Sequence, residues 1–353
     1  MRRMRCEVSG RGTPNEASPT GKLYTGNMDY ERPLGQGEII MGVFHCPIDA
    51  AGTGMAGCCN CGLCTASTAA ERQEAASRMR AYIRANTEEK TTSAIRKICV
   101  CGKGGTGKST ITSLFAIALA DNNYQVLVID TDESNPSLYR KLALPREPKP
   151  LIQLLERFAV GDGDGHIPDD SWLKQDGLTV DKIPAEYIVR SGNIMLLESG
   201  KVTDPLQGCA CNMADLTREI MQNMKLTDRE IIIADLEAGV ESFGRGLEQG
   251  ADTIIAMVEP SFDSIQLTEK IQYMAQGIGI SRVRAIMNKI PSPKVEKEIR
   301  SMLIDTGIRF LGAFSMSDKI ASASLQGIPI LNGAEYDHAK LLVRLMLDEA
   351  GMD

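Results

Sequence analysis

Lys97-Ile98-Cys99-Val100-Cys101-Gly102-Lys103-Gly104-Gly105-Thr106-Gly107-Lys108-Ser109 is the stretch that decides the fold. An apolar run of strand length, Lys97–Cys101, enters a glycine loop, and a helical pattern leaves it at Lys108. Glycines let backbone N–H groups turn toward phosphate oxygens, and the helix N-terminus adds a favourable dipole. The spacing GxxxxGKS in a strand–loop–helix context therefore predicts a phosphate cradle. The expected contacts are Gly102, Gly104, Gly105, Thr106, Gly107, Lys108, Ser109 and Thr110, with Lys108 reaching the β and γ phosphates and Ser109 sitting on Mg²⁺.

Outward from this stretch, apolar strand, turn and helix alternate as an α/β fold with a mainly parallel sheet flanked by helices requires. Strands are expected at Lys97–Cys101, Val126–Asp130, Ile194–Glu198, Ile231–Asp235, Thr253–Val258, Val283–Asn288 and Phe310–Phe314. Helices are expected to begin near Lys108, Asn212, Ser264, Lys294 and Asp337, with Asn212 or Asp215 capping the second of them. The stretch Pro145–Ser191 reads as an insertion after the second strand. Residues 96–353 thus form the nucleotide domain, preceded by a tail over 1–40 and a cysteine-rich segment with a linker helix, Ala69–Glu89, over 41–95.

The chain of 353 residues is 43% apolar, enough for a sizeable core, and carries a formal charge of −7 with both signs interspersed. That charge gives no basic face for nucleic acid. No apolar run is long enough to span a membrane and no secretion signal follows the basic N-terminus, so a cytoplasmic chain without membrane or nucleic-acid partners is expected. Ten cysteines in such a chain are expected to stay reduced, and clusters among them suggest metal or redox chemistry.

Strand ends add further candidates. Ile129-Asp130-Thr131-Asp132 places two carboxylates at the C-terminal sheet edge, where ligands bind in open α/β sheets. The apolar run Ile231–Ala234 ends in Asp235, a second Mg²⁺ contact, and Leu236–Gly246 reads as a switch loop. The amide of Asn288 both donates and accepts, which suits an adenine edge. A second lysine, Lys103, follows the first glycine and projects away from its own γ-phosphate, which points to use across a two-fold interface. Here the chain resembles the deviant P-loop ATPases, the class of the MinD-type division-site ATPases, the plasmid-partition ATPases and the nitrogenase iron protein. The resemblance implies a homodimer closed face to face around ATP, Lys103 contacting the partner's nucleotide, Asp132 activating the attacking water and Asp130 supporting Mg²⁺ through water.

Gly208-Cys209-Ala210-Cys211 carries two thiols one residue apart. They cannot complete a tetrahedral site alone, but two chains around a two-fold axis supply four thiolates. Zn²⁺, Ni²⁺, Cu(I) or an iron–sulfur cluster suits such ligands, and two buried reduced cysteines are the plain alternative. The pair together with Lys103, Asp235-Leu236-Glu237-Ala238-Gly239, Phe243-Gly244-Arg245-Gly246 and Val258-Glu259-Pro260-Ser261 resembles the nickel-insertion accessory ATPases of carbon monoxide dehydrogenase, the CooC type. That resemblance covers about residues 96–350. It implies Ni²⁺ or Zn²⁺ held by Cys209 and Cys211 at a dimer interface. It also implies ATP-linked delivery of nickel to a client, carbon monoxide dehydrogenase or acetyl-CoA synthase. An iron-protein-like electron-transfer reductase with a bridging [4Fe–4S] cluster, and a MinD/ParA-like positioning ATPase, are the alternatives.

The N-terminal cysteines Cys46, Cys58, Cys59, Cys61 and Cys64 lie among glycines that permit tight turns around a metal, and Zn²⁺ or an iron–sulfur cluster serves there. The metallocluster-handling host implied by the resemblance favours [4Fe–4S]. Cys99 and Cys101 alternate with apolar residues along the first strand. Cys99 is expected in the core, and Cys101 is not assigned as a ligand.

Overall fold

The computed structural model describes residues 94–132, 137–154, 171–175, 177–200 and 211–352. The expected tail, the cysteines from Cys46 to Cys64, the helix Ala69–Glu89 and Cys209 lie outside the described residues.

Eight strands form one sheet in the order β3-β4-β2-β5-β1-β6-β7-β8. They are β1 (Lys97–Gly102), β2 (Gln125–Asp130), β3 (Val189–Ser191), β4 (Ile194–Glu198), β5 (Glu230–Asp235), β6 (Thr253–Val258), β7 (Arg282–Ile290) and β8 (Arg309–Ser315). All neighbours run parallel except β3, which pairs antiparallel with β4 at one edge. The helices are α1 (Lys108–Asp121), α2 (Leu138–Lys141), α3 (Cys211–Asn223), α4 (Glu241–Arg245), α5 (Phe262–Gly277), α6 (Pro293–Asp305), α7 (Asp318–Gln326) and α8 (Ala334–Glu349).

Parallel strands covered on both faces must be apolar on both, and β1 shows this directly. Ile98 and Val100 face the core shared with α1 and α8, while Cys99 and Cys101 face the core shared with α3 and α5. Helices after β6, β7 and β8 start alike: Ser261, Ser292 and Ser317 each accept a hydrogen bond from the backbone N–H three residues on. At β8 the covering helix comes very close, since a Cβ on Gly312 would lie 2.4 Å from Leu342 Cδ2.

All seven expected strands are present. Among the described strands and α-helices, four were not expected: β3, lying inside the stretch read as an insertion, and α2, α4 and α7. Helix α3 already includes Cys211, so Asn212 and Asp215 stand inside it and neither is its cap. Asp215 instead pairs with Arg218 one turn on, at 2.5 Å. In α8, Leu342, Val343, Met346 and Leu347 are buried, and Leu341 and Leu345 are exposed. Among the described residues no helix is long and apolar enough to cross a membrane.

Candidate nucleotide site

The loop from Gly102 to Gly107 is held in shape by answering its own carbonyls. Lys103 O accepts from the Thr106 hydroxyl at 2.8 Å, and Gly107 O accepts from the N–H groups of Thr110 and Ile111 at 3.1 and 3.0 Å. Lys108 Nζ folds back over the loop to Gly102 O and Lys103 O, at 3.3 and 3.5 Å. Two glycines are obligatory. Gly102 has φ 145° with Met257 O only 2.7 Å from where a Cβ would stand, and Gly107 has φ 94° with the Asn288 amide 2.3 Å from that point.

Parallel register sets a row of carboxylates beside this cradle. Glu198, Asp130 and Asp235 are direct partners across β4, β2 and β5, each 1% exposed. Alternation along the strands turns them to the α1 face. Thr112 Oγ1 donates to Asp235 Oδ1 at 3.2 Å, whereas the buried Asp235 Oδ2 has no hydrogen-bond partner. Burial raises the Asp235 pKa, opposed by the Ser109 hydroxyl, the Lys108 ammonium, the Thr112 hydroxyl and Lys141. A buried carboxylate oxygen without a partner, next to a hydroxyl, fits a hard divalent cation such as Mg²⁺. Among the described residues no three His, Cys, Asp or Glu side chains form a metal cage.

Asp132 stands just past β2, its N–H donating to Asp130 Oδ1 at 3.0 Å. Glu198 was not singled out in the sequence. The available signal was positional, because β4 ends in a carboxylate just as β2 and β5 do.

Lys103 leans toward the β6–α5 connection, 3.4 Å from Glu259 and 3.8 Å from Asp263, and is partly exposed. Asn288 is buried, with Nδ2 donating to Thr106 O at 2.8 Å. Its neighbour Lys289, also not anticipated, donates from Nζ to Gly105 O at 2.5 Å.

The segment expected as a switch loop lies against the cradle. Gly239 N–H donates to Gly102 O at 3.2 Å, and a Cβ on Gly104 would touch that of Ala238 at 3.6 Å. Part of the segment is helical, α4, and it is bonded onward to α3. Arg245 donates to Glu237 at 2.6 Å, and Arg218 of α3 donates to Arg245 O at 2.9 Å. Ser199, just past β4, shares a 2.5 Å hydrogen bond with Thr217 of α3. Below α4, the fully buried Glu248 accepts from the Ser242 hydroxyl at 2.5 Å, and burial pushes its pKa up to about 7.

Cys99 and Cys101 are fully buried, and burial, with Glu248 adding to it, raises both thiols well above their ordinary range. They remain neutral thiols packed in the core, which suits neither metal ligation nor nucleophilic chemistry. The side chains of Cys209 and Cys211 lie outside the described residues.

A mainly parallel sheet with a GxxxxGKS loop and a row of buried carboxylates at one edge defines a P-loop nucleotide hydrolase. The chain belongs to the CobQ/CobB/MinD/ParA nucleotide-binding family, whose domain model matches residues 98–330, and it is an ATPase. An uncharacterized ATP-binding protein of Methanocaldococcus jannaschii is 43% identical over 197 residues, covering 55% of this chain and 78% of the relative. The carbon monoxide dehydrogenase accessory protein CooC of Rhodospirillum rubrum is 30% identical over 263 residues, covering 72% and 97%. Among solved structures, the septum site-determining protein MinD with Mg-ADP from Pyrococcus horikoshii superposes with a TM-score of 0.53 at 17% identity, covering 72% and 97%, a likeness of fold.

Proposed function

We propose that this ATPase works as a homodimer that inserts nickel into a client enzyme, carbon monoxide dehydrogenase or acetyl-CoA synthase. In this reading ATP and Mg²⁺ occupy the cradle, with Ser109 and Asp235 contacting the cation and Asp130 supporting it through water. Asp132 activates the attacking water, and Lys103 leaves Glu259 and Asp263 to meet the partner's nucleotide. Asn288, whose Nδ2 is engaged by Thr106, reads the adenine edge as an acceptor through Oδ1. Ni²⁺ is cargo, held by Cys209 and Cys211 of both subunits. Cys46, Cys58, Cys59, Cys61 and Cys64 hold a [4Fe–4S] cluster or Zn²⁺.

One observation carries the reading. The helix that carries Cys211 is bonded through Arg218 to Arg245, and Arg245 to Glu237, two residues beyond the Asp235 carboxylate. A nucleotide drives metal release only by favouring one conformation over another, and this chain of bonds gives it a segment to act on. The 30% identity to CooC over nearly its whole length supports the same assignment.

The test compares anaerobically purified protein with a Cys209→Ala/Cys211→Ala variant, measuring nickel stoichiometry and mass in solution with and without ATP. The parent is expected to bind one Ni²⁺ per dimer, and the variant to lose the metal and metal-dependent pairing while still binding ATP. Unchanged nickel stoichiometry in the variant overturns the assignment. A brown, reducible chromophore dependent on Cys209 and Cys211 replaces it with an electron-transfer role.

A further inference from the structure

We infer that the end of β7 braces the phosphate loop from behind, with Lys289 a positioning residue for phosphate binding. For a loop to turn N–H groups toward a phosphate, its carbonyls must turn outward, and an outward carbonyl needs a donor. The carbonyls of Gly105 and Thr106 receive theirs from consecutive residues of one strand end, Lys289 Nζ at 2.5 Å and Asn288 Nδ2 at 2.8 Å. A cation on a peptide oxygen polarises that peptide and strengthens the N–H on its far side as a donor, so Lys289 reinforces the Thr106 N–H, which closes the loop on Lys103 O at 3.3 Å, and holds the loop's shape without touching the nucleotide.

The backbone of Lys289 carries a second, independent sign. Its φ is +58°, in the left-handed region that side chains with a Cβ rarely adopt, and it lies inside β7 where the pairing with β8 shifts register between Met287 and Ile290. Glycine would hold this irregularity without strain, yet the position carries a long cationic side chain that reaches the loop. An outlier retained with a bulky residue points to a task for that residue. The other side of the contact is equally constrained, since Asn288 occupies the space a Cβ on Gly107 would need. Loop and strand end are therefore shaped to each other.

Two substitutions separate this role from a merely structural one. Lys289→Gly removes the ammonium and relieves the backbone, and Lys289→Arg keeps a cation. Binding of ATP and of tripolyphosphate, each with Mg²⁺, is measured by displacement of a fluorescent ATP analogue, together with KM, kcat and the thermal midpoint. Lys289→Gly is expected to weaken both ligands alike, by about threefold to tenfold, and to raise KM with kcat unchanged. Its melting temperature should equal or exceed the parent's, and Lys289→Arg should restore most of the affinity. Unchanged ATP affinity in Lys289→Gly overturns the brace, as does a loss that tracks a lowered melting temperature. A loss for ATP with tripolyphosphate unaffected moves Lys289 to the base or ribose and overturns it as well.

Discussion

The phosphate cradle and helix α3 share one edge of the sheet, and they are held in opposite ways. The cradle is fixed through its backbone: Lys108, Asn288, Lys289 and Gly239 all bond to its carbonyls, and Gly107 leaves no room for any side chain. Helix α3 is held mostly through its side chains, Thr217 to Ser199, Arg218 to Arg245 and Gln222 to Gln249 at 2.7 Å, with one carbonyl, Met221 O, accepting from Lys97 Nζ at 2.5 Å. Backbone bonding to fixed strand ends suits a site that must be ready before its ligand arrives. Side-chain bonding to a segment that follows Asp235 suits an element that takes up more than one position.

Variants can break this contrast. The largest effect is expected from Gly107→Ala, which adds a Cβ in a left-handed conformation onto Asn288. ATP affinity should fall by about 100-fold or more in an equilibrium titration, while Cys209→Ala/Cys211→Ala stays within about twofold of the parent. Next is Asp132→Asn, for which single-turnover kinetics should show hydrolysis slowed about 100-fold with nucleotide binding retained. Normal turnover removes the proposed water-activating role. Arg218→Ala should leave hydrolysis and nickel binding intact but reduce the effect of ATP on nickel affinity by about fivefold to tenfold in a metal-competition assay. A coupling equal to the parent's shows that α3 does not carry the signal.

A fourth variant is read as stability rather than as affinity or rate, and it concerns Glu248, bonded to Ser242 of α4. Its folded pKa of about 7 exceeds the ordinary 4.5, so the folded state holds a proton that the unfolded chain has released between those values. Stability from this group is full below about pH 4.5 and is lost as pH rises to about 7. Glu248→Gln should therefore be more stable than the parent at pH 8, on the order of 2 kcal/mol, and close to it at pH 5, as read by denaturant unfolding. An identical pH dependence in the two proteins means that Glu248 is ionised in the folded state.

What the sequence reveals here follows from how local the signal is. Strands β4 and β6 end where expected because their apolar runs are bounded by polar residues, and the cradle is legible because one strand, one loop and one helix specify it together. Helix α4 was hidden because Glu241-Ser242-Phe243-Gly244-Arg245 is too short for a helical period and contains a glycine. Glu198 was missed because its significance lies in lateral register with Asp130 and Asp235, which one strand cannot show. Lys289 was missed for a related reason: its partner is 184 positions away, and a positive φ leaves no mark on a lysine. The pairing of Lys103 with Glu259 and Asp263 likewise needed the fold, because β1 and β6 are neighbours only in space.

Cys99 and Cys101 have a practical consequence. Both lie on β1, hydrogen-bonded to β5 on one side and β6 on the other, with no exposed surface. A thiol reagent reaches them only when the middle of the sheet parts, so their modification rate is a clock for opening of the core. Slowing of that clock by ATP would report how much the bound nucleotide stiffens the centre of the molecule, with no residue substituted.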